Sequence, residues 1–421
     1  MSEPSQSGAP TPGRRAGVRF IFVTVFLDTM SFGVLIPVLP LLISKLAGGD
    51  ASHQAFTYGA FTFVWALMQF FASPVLGALS DRFGRRPIIL FSNFGVGLQY
   101  VMFALAPNLA VMFAARIFSG VASASAATAS AYIADVTAPE KRAAAFGVMG
   151  AAFGGGFILG PAFGGWLSTH DPHLPLWIAA GMCTLSGLYG LFVLPESLPP
   201  ERRRAFDWKR ANPLGSFRFL QARPDLFGLA TMKFLADLAH MVFPSVFVLY
   251  AANRFGWGPP AIGSMMAASG AVGVLVQAGL VGRVVRAVGE RRALLGGLSF
   301  GVLGLTVYGA AWAPQILFVA IGVFALWGFA TPAAQSLMTR RVAPTEQGAL
   351  QGAIAGLASL AGMIGPVVYT GVFGYFISAA APVQAPGAPF FLAASFLAVA
   401  LVVAVLATGA TPRVTSRALV D

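Results

Sequence analysis

Five ionisable side chains stand inside long apolar runs of this 421-residue sequence: Asp28, Arg116, Lys233, Asp237 and His240. A carboxyl group in such surroundings can change proton occupancy as it meets water from one side and then the other, which is the chemistry of proton coupling. Asp28 lies about ten residues, or ~15 Å, from the start of its apolar run, near the middle of a bilayer. It is read as the titrating carboxylate, with Arg116 either tuning it or serving a structural ion pair. Lys233, Asp237 and His240 follow at spacings of four and three, so a helix places them on one face. Lys233 then holds Asp237 charged, and His240 either relays a proton or lines a cavity wall. His53, His170 and His173 show no metal-ligand spacing, and no Gly-x-x-x-x-Gly-Lys-Ser/Thr loop is present. The reading is therefore of a non-enzyme without a cofactor, driven by a proton gradient rather than ATP.

The elements that carry these groups follow from composition. The chain is 57% hydrophobic and only 10% charged, with 49 Gly and 37 Phe, whereas soluble domains carry roughly 25% charged residues. The solvent of such a surface is lipid. Apolar runs cut at charge clusters and Pro/Gly turns give twelve helical spans, at 18–44, 57–79, 87–106, 109–134, 143–168, 174–194, 225–251, 259–282, 292–312, 315–339, 348–379 and 388–408. The single cysteine, Cys183, excludes a disulfide scaffold. A net charge of +12 would suggest nucleic acid in a soluble chain. Here 23 of 27 Lys and Arg residues fall on one side of the spans, with only Lys45 and Arg254 in loops of the other, so the charge is a topology signal and no nucleic-acid partner is expected. The crowded side is read as cytoplasmic, with both termini there. The segment Met1–Gly13 lacks a signal-peptide pattern, which leaves targeting to the first span.

The polar, basic stretch 195–223 divides the chain six spans to six. The domains are a disordered tail (1–17), an N-terminal six-helix bundle (18–194), a cytoplasmic linker (195–223), a C-terminal six-helix bundle (224–409) and a C-terminal tail (410–421). Local patterns recur at a constant offset of 205 residues: Gly77 and Gly84 match Gly282 and Gly289, Ala138-Pro139 matches Ala343-Pro344, and Gly160-Pro161 matches Gly365-Pro366. The fold class is all-α, two pseudo-symmetric bundles in parallel repeat.

Two motifs stand out. After span 2 comes a tight turn with Gly77, Asp81, Arg82, Gly84, Arg85 and Arg86, and Asp135 precedes the next loop on the same side. Asp81 can accept from N–H groups at a helix start, and Arg85 and Arg86 suit carboxylate pairing across the halves. In span 5, Gly156, Gly160, Pro161, Gly164 and Gly165 put small residues four apart, letting another helix backbone approach. Polar and aromatic groups that could line a substrate cavity are Gln69, Asn93, Gln99, Phe243, Phe247, Gln277, Trp327 and Gln335.

The turn GALSDRFGRRP matches the signature loop of the major facilitator superfamily. FLDTMSFGVLIPVLP, YGAFTFVWALMQFFASPVLGALSDRFGRRP, NRFGW and QGALQG resemble the tetracycline exporters among its proton-coupled drug antiporters. The resemblance covers nearly the whole chain. It implies helices 1, 4, 7 and 10 around a central cavity, a cytoplasmic gate at Gly77–Pro87, an antiporter motif in span 5, and a proton-transfer role for Arg116. The sequence departs from that pattern at Gln99, where an acid is typical, and at Gly273 and Gly301; it adds Asp237 and His240. The expectation is a monomeric proton-coupled antiporter of the inner membrane, exporting an amphipathic or tetracycline-like compound. A nutrient symporter or uniporter, or a transport-inactive receptor on the same fold, are the alternatives.

Overall fold

The computed structural model describes residues 12–123, 126–138, 141–203, 205–206, 219–221, 223–343 and 346–409, with 12–21, 126–127 and 143 as backbone alone. Most of the expected tails (1–11 and 410–421) and much of the linker (207–218) lie outside the described residues. Among those described, every regular element is helical, and ten helices are long and apolar enough to cross a bilayer. An eleventh is the pair Phe22–Leu35 and Leu39–Ala47, which together form span 1 with a bend of 42°. Pro37 and Pro40 sit at that break and remove backbone donors.

Span 4 differs from the continuous helix expected. Leu109–Ala122 is a shorter apolar helix, followed by Ala126–Val136. The Ser123 hydroxyl donates to the Ser119 carbonyl at 2.7 Å, the competition by which serine loosens a helix. Asn108 starts it by accepting the Val111 N–H at 3.1 Å, as Asp50 accepts that of His53 at 2.8 Å before Ala51–Phe83.

Three later spans are interrupted. Span 7 runs Pro224–His240 and Val242–Phe255, broken at Met241, where Pro244 cannot bond back to the His240 carbonyl. Span 8 runs Pro259–Val276, a π-turn Gln277–Val281, and Gly282–Val288. Span 10 runs Pro314–Ala325, a 3-10 turn Leu326–Phe329, and Ala330–Thr339, with Pro332 withholding the donor that Gly328 would need.

The residues gather into two compact units. The first comprises the described parts of Met1–Pro213 with Pro244–Ala271 and Pro366–Gln384; the second, those of Leu214–Phe243, Val272–Gly365 and Ala385–Asp421. In the first, span 1 packs on spans 5 and 6, and span 3 on spans 4 and 6; in the second, span 7 packs on span 12, and span 9 on spans 10 and 12. The neighbour pairs 1–6, 3–6 and 3–4 thus return six spans later as 7–12, 9–12 and 9–10. Large side chains such as Phe192 and Leu406 stay exposed (83% and 70%), which only an apolar solvent accommodates.

Candidate functional site

In the first unit, Asp28 is half-buried and its Oδ1 is enclosed without a hydrogen-bond partner. One turn earlier the Thr24 hydroxyl is also unpartnered. One turn later the Ser31 hydroxyl donates to the Asp28 carbonyl at 2.8 Å and lies 3.2 Å from Cys183 Sγ on span 6. Residues 24, 28 and 31 therefore form a polar stripe on span 1 with unused acceptor capacity.

Arg116 on span 4 is 4% exposed. Its guanidinium carbon lies 4.9 Å from the ring centroids of both Phe61 and Trp65, and its Nε has no hydrogen-bond partner. Among the described residues no carboxylate comes within ion-pair distance of it, so the structural ion pair weighed as its alternative role is not formed. The two ring faces of span 2 take the guanidinium instead. Cation–π contacts return about 2 kcal/mol when desolvated, less than the several kcal/mol that burying an ion costs. Trp65 is fixed in turn: its indole N–H donates to the Ser123 hydroxyl at 3.2 Å, and Gln69 reaches the Ser123 carbonyl at 3.5 Å.

In the second unit Lys233 and Asp237 form an ion pair, about one-fifth exposed, whose second carboxylate oxygen has no hydrogen-bond partner. His240, a turn further, is exposed, with its ring 5.7 Å from Trp327 and 6.1 Å from Phe243. Phe243 packs on Phe324 (4.7 Å), Tyr308 (5.1 Å) and Phe390 (5.8 Å). Gln277 is exposed on the π-turn, and its Oε1 lies 3.3 Å from where a Cβ on Gly328 would stand. The three interrupted helices thus bring the break after His240, the 3-10 turn at Trp327 and the π-turn at Gln277 into one region. Gln335 is half-buried one helical stretch away.

Other residues expected at a cavity are placed differently. Asn93 is buried and donates to the Ser186 hydroxyl at 3.1 Å across spans 3 and 6, and Gln99 is buried in span 3. Phe247 is buried in the first unit. Helix packing has absorbed these three side chains.

The turn after span 2 is an ion-pair hub. Arg85 lies 2.6 Å from Asp81 and 3.3 Å from Asp135, and donates to the Ser80 hydroxyl at 2.6 Å. Ser80 donates to the Gly77 carbonyl at 2.7 Å. Arg86 donates to the Leu191 carbonyl at 2.6 Å, and Arg82 lies 5.1 Å from the Phe83 ring. The partners found for Arg85 and Arg86 are all in their own unit, and Asp81 holds Arg85 instead of capping a helix. The cap is Glu196, whose carboxylate accepts the Arg85 N–H at 2.8 Å and the Arg86 N–H at 3.3 Å. Gly84 makes this possible: at φ +106° it turns the chain, and a Cβ there would collide with the Glu196 carboxylate. The sequence alone does not single out Glu196, because a lone acid in a basic loop carries no spacing signal.

The span 5 glycines seat directly on span 1. A Cβ on Gly156 would meet the Met30 nitrogen at 2.8 Å, one on Gly160 the Met30 carbonyl oxygen at 2.7 Å, and one on Gly164 the Val34 backbone. Gly33 faces Pro161 and Gly160 in return, and Gly165 lies against Pro259 and Pro260. Small-residue spacing lets the backbones touch, and this contact carries the helix that bears Asp28.

Comparison with known proteins agrees with this architecture. The Major Facilitator Superfamily profile matches residues 21–366 and, in a second alignment, 229–419. The class C tetracycline resistance protein of Escherichia coli is 38% identical over 84% of this chain and 88% of its own, and the class G protein of Vibrio anguillarum 34% identical over 85% and 91%. A solved bacterial homologue of the human lysosomal transporter Spinster, in an inward-facing and unoccupied conformation, superposes with a TM-score of 0.75 at 17% identity over 96% of this chain and 98% of its own. This all-helical, multi-pass membrane protein belongs to the Major Facilitator Superfamily and is a transporter, not an enzyme.

Proposed function

We propose that the protein is a proton-coupled antiporter that exports an amphipathic, tetracycline-like compound across the inner membrane by alternating access. The observation that carries this reading is the enclosed, unpartnered oxygen of Asp28 on a helix clamped by the span 5 glycines. A carboxyl group with spare acceptor capacity at membrane depth is costly to keep and is the residue type that a proton cycle needs. Arg116, held between Phe61 and Trp65 with no carboxylate partner, is a second charged group at membrane depth in the same unit. The class C and class G relatives named for tetracycline resistance support the substrate class. Trp327, Phe243, His240 and Gln277 in the second unit offer the aromatic wall and few polar groups that amphipathic compounds take.

In this reading the chain is two six-helix bundles, 18–194 and 224–409, that rock against each other, with both termini cytoplasmic and no cofactor. Lys233 holds Asp237 in an ion pair that substrate can displace. The experiment is drug-susceptibility profiling of cells with and without the protein, tetracyclines included, with counterflow of sugars and organic acids as the contrast. Export predicts raised resistance and no nutrient counterflow; nutrient counterflow without any change in resistance contradicts it.

A further inference from the structure

The 205-residue offset places Glu290 where Arg85 stands and Arg340 where Asp135 stands. Two further charges exchange sign at the same offset, Asp81 with Arg286 and Lys141 with Glu346. The side chains do more than align. Arg340 Nη2 lies 2.7 Å from Glu290 Oε1, and the Ser336 hydroxyl donates to that same oxygen at 2.6 Å. In the first unit Arg85 reaches Asp135 at 3.3 Å and takes the Ser80 hydroxyl at 2.6 Å. Gly84 and Gly289, at φ +106° and +82°, immediately precede the two central residues.

Each unit therefore ties the start of its third helix (span 3 or 9) to the end of its fourth (span 4 or 10) through one ion pair with the signs exchanged; a serine joins each pair, Ser80 from the end of span 2 in the first unit and Ser336 from span 10 in the second. Arg286 does not copy Asp81, since its Nε donates to the Gly282 carbonyl at 3.0 Å within its own turn. A site kept for the sign of its charge, such as one that binds an ion, would hold the same sign in both copies. A tie between two helices needs only that the partners be opposite.

We propose that Glu290, Arg340 and Ser336 are positioning residues that latch the second unit, and that the latch requires pairing and not a particular polarity. The proposal rests on the transport reading above, through the rate it is expected to control. Glu290 is the deeper partner, its side chain 18% exposed against 72% for Arg340. Without Arg340, Glu290 keeps Ser336; without Glu290 both partners are released.

The test compares E290A, R340A and the exchanged pair E290R/R340E, with tetracycline uptake by everted vesicles as the rate and hydrogen exchange of the amides at 286–292 and 336–342 as the latch itself. The expected result is a Vmax at least tenfold lower in E290A and about threefold lower in R340A, with KM within twofold. The exchanged pair should recover at least half the wild-type Vmax, and the faster exchange of the single variants should return to the wild-type rate. An exchanged pair no better than E290A, or variants that raise KM and leave Vmax alone, overturns the proposal. Should wild-type vesicles move no tetracycline, the substrate reading fails and amide exchange alone decides: recovery in the exchanged pair supports the latch, and none refutes it.

Discussion

The two units handle charge at membrane depth in opposite ways. The first holds Asp28 and Arg116 apart, one with an unpartnered oxygen and the other sandwiched by Phe61 and Trp65. The second closes Lys233 and Asp237 into an ion pair on one helix face. An ion pair limits the cost of burial, and the rings of Phe61 and Trp65 return part of it for Arg116, whereas the unpartnered oxygen of Asp28 leaves it uncompensated. The difference teaches where protonation is to be sought: the group least satisfied as an ion gains most from taking up a proton.

Substitutions that break this contrast should have the largest effects. Asp28→Asn should reduce proton-driven efflux at least a hundredfold while the protein still folds, measured as transport in reconstituted vesicles alongside thermal unfolding. Arg116→Lys should lose at least tenfold in transport, because a compact ammonium cannot lie flat between two rings as a guanidinium does. If Lys replaces Arg116 without loss, the aromatic sandwich is incidental.

Two predictions sharpen the comparison through stability. Lys233→Met strands Asp237 and should cost about 3 kcal/mol, whereas Lys233→Met combined with Asp237→Leu should restore most of it, read from denaturation midpoints in detergent. Equal losses in both would mean the pair is not coupled. Gly164→Ala pushes a Cβ into the Val34 backbone and should cost about 1–3 kcal/mol, with a matching drop in transport.

The smallest effect is expected on the charged face of the second unit. Arg223 beside Glu346, helped by the Ala343 N–H, holds that carboxyl below its ordinary range. A depressed carboxyl stabilises the fold above the ordinary carboxylate range and loses that contribution as pH falls through the lowered value. Because the Glu346 side chain is 37% exposed and its ion pair is screened by solvent, Glu346→Gln should leave the unfolding midpoint at neutral pH unchanged within error.

Much of this architecture was legible in the sequence, because a bilayer imposes long apolar runs and the repeat doubles every signal. The turn around Gly84 and the glycines of span 5 were legible for a similar reason: their chemistry is local. The interruptions at Met241, Gln277 and Trp327 were not, since a proline or glycine inside an apolar run does not say whether a helix is interrupted, as at Met241, or continues, as through Pro74 and Pro161. Arg116 revealed its depth but not its partners, which come from span 2. Asn93, Gln99 and Phe247 had suitable types for a cavity, but composition does not distinguish a helix face turned to water from one turned to a neighbour.

The central claim is that Asp28 carries the coupled proton. Its most direct measurement is proton movement on adding tetracycline to proteoliposomes that contain either the wild type or Asp28→Asn, with tetracycline binding followed in parallel. The account predicts that the wild type releases protons on binding and that the variant binds without releasing them. Proton release of equal size from both would contradict it.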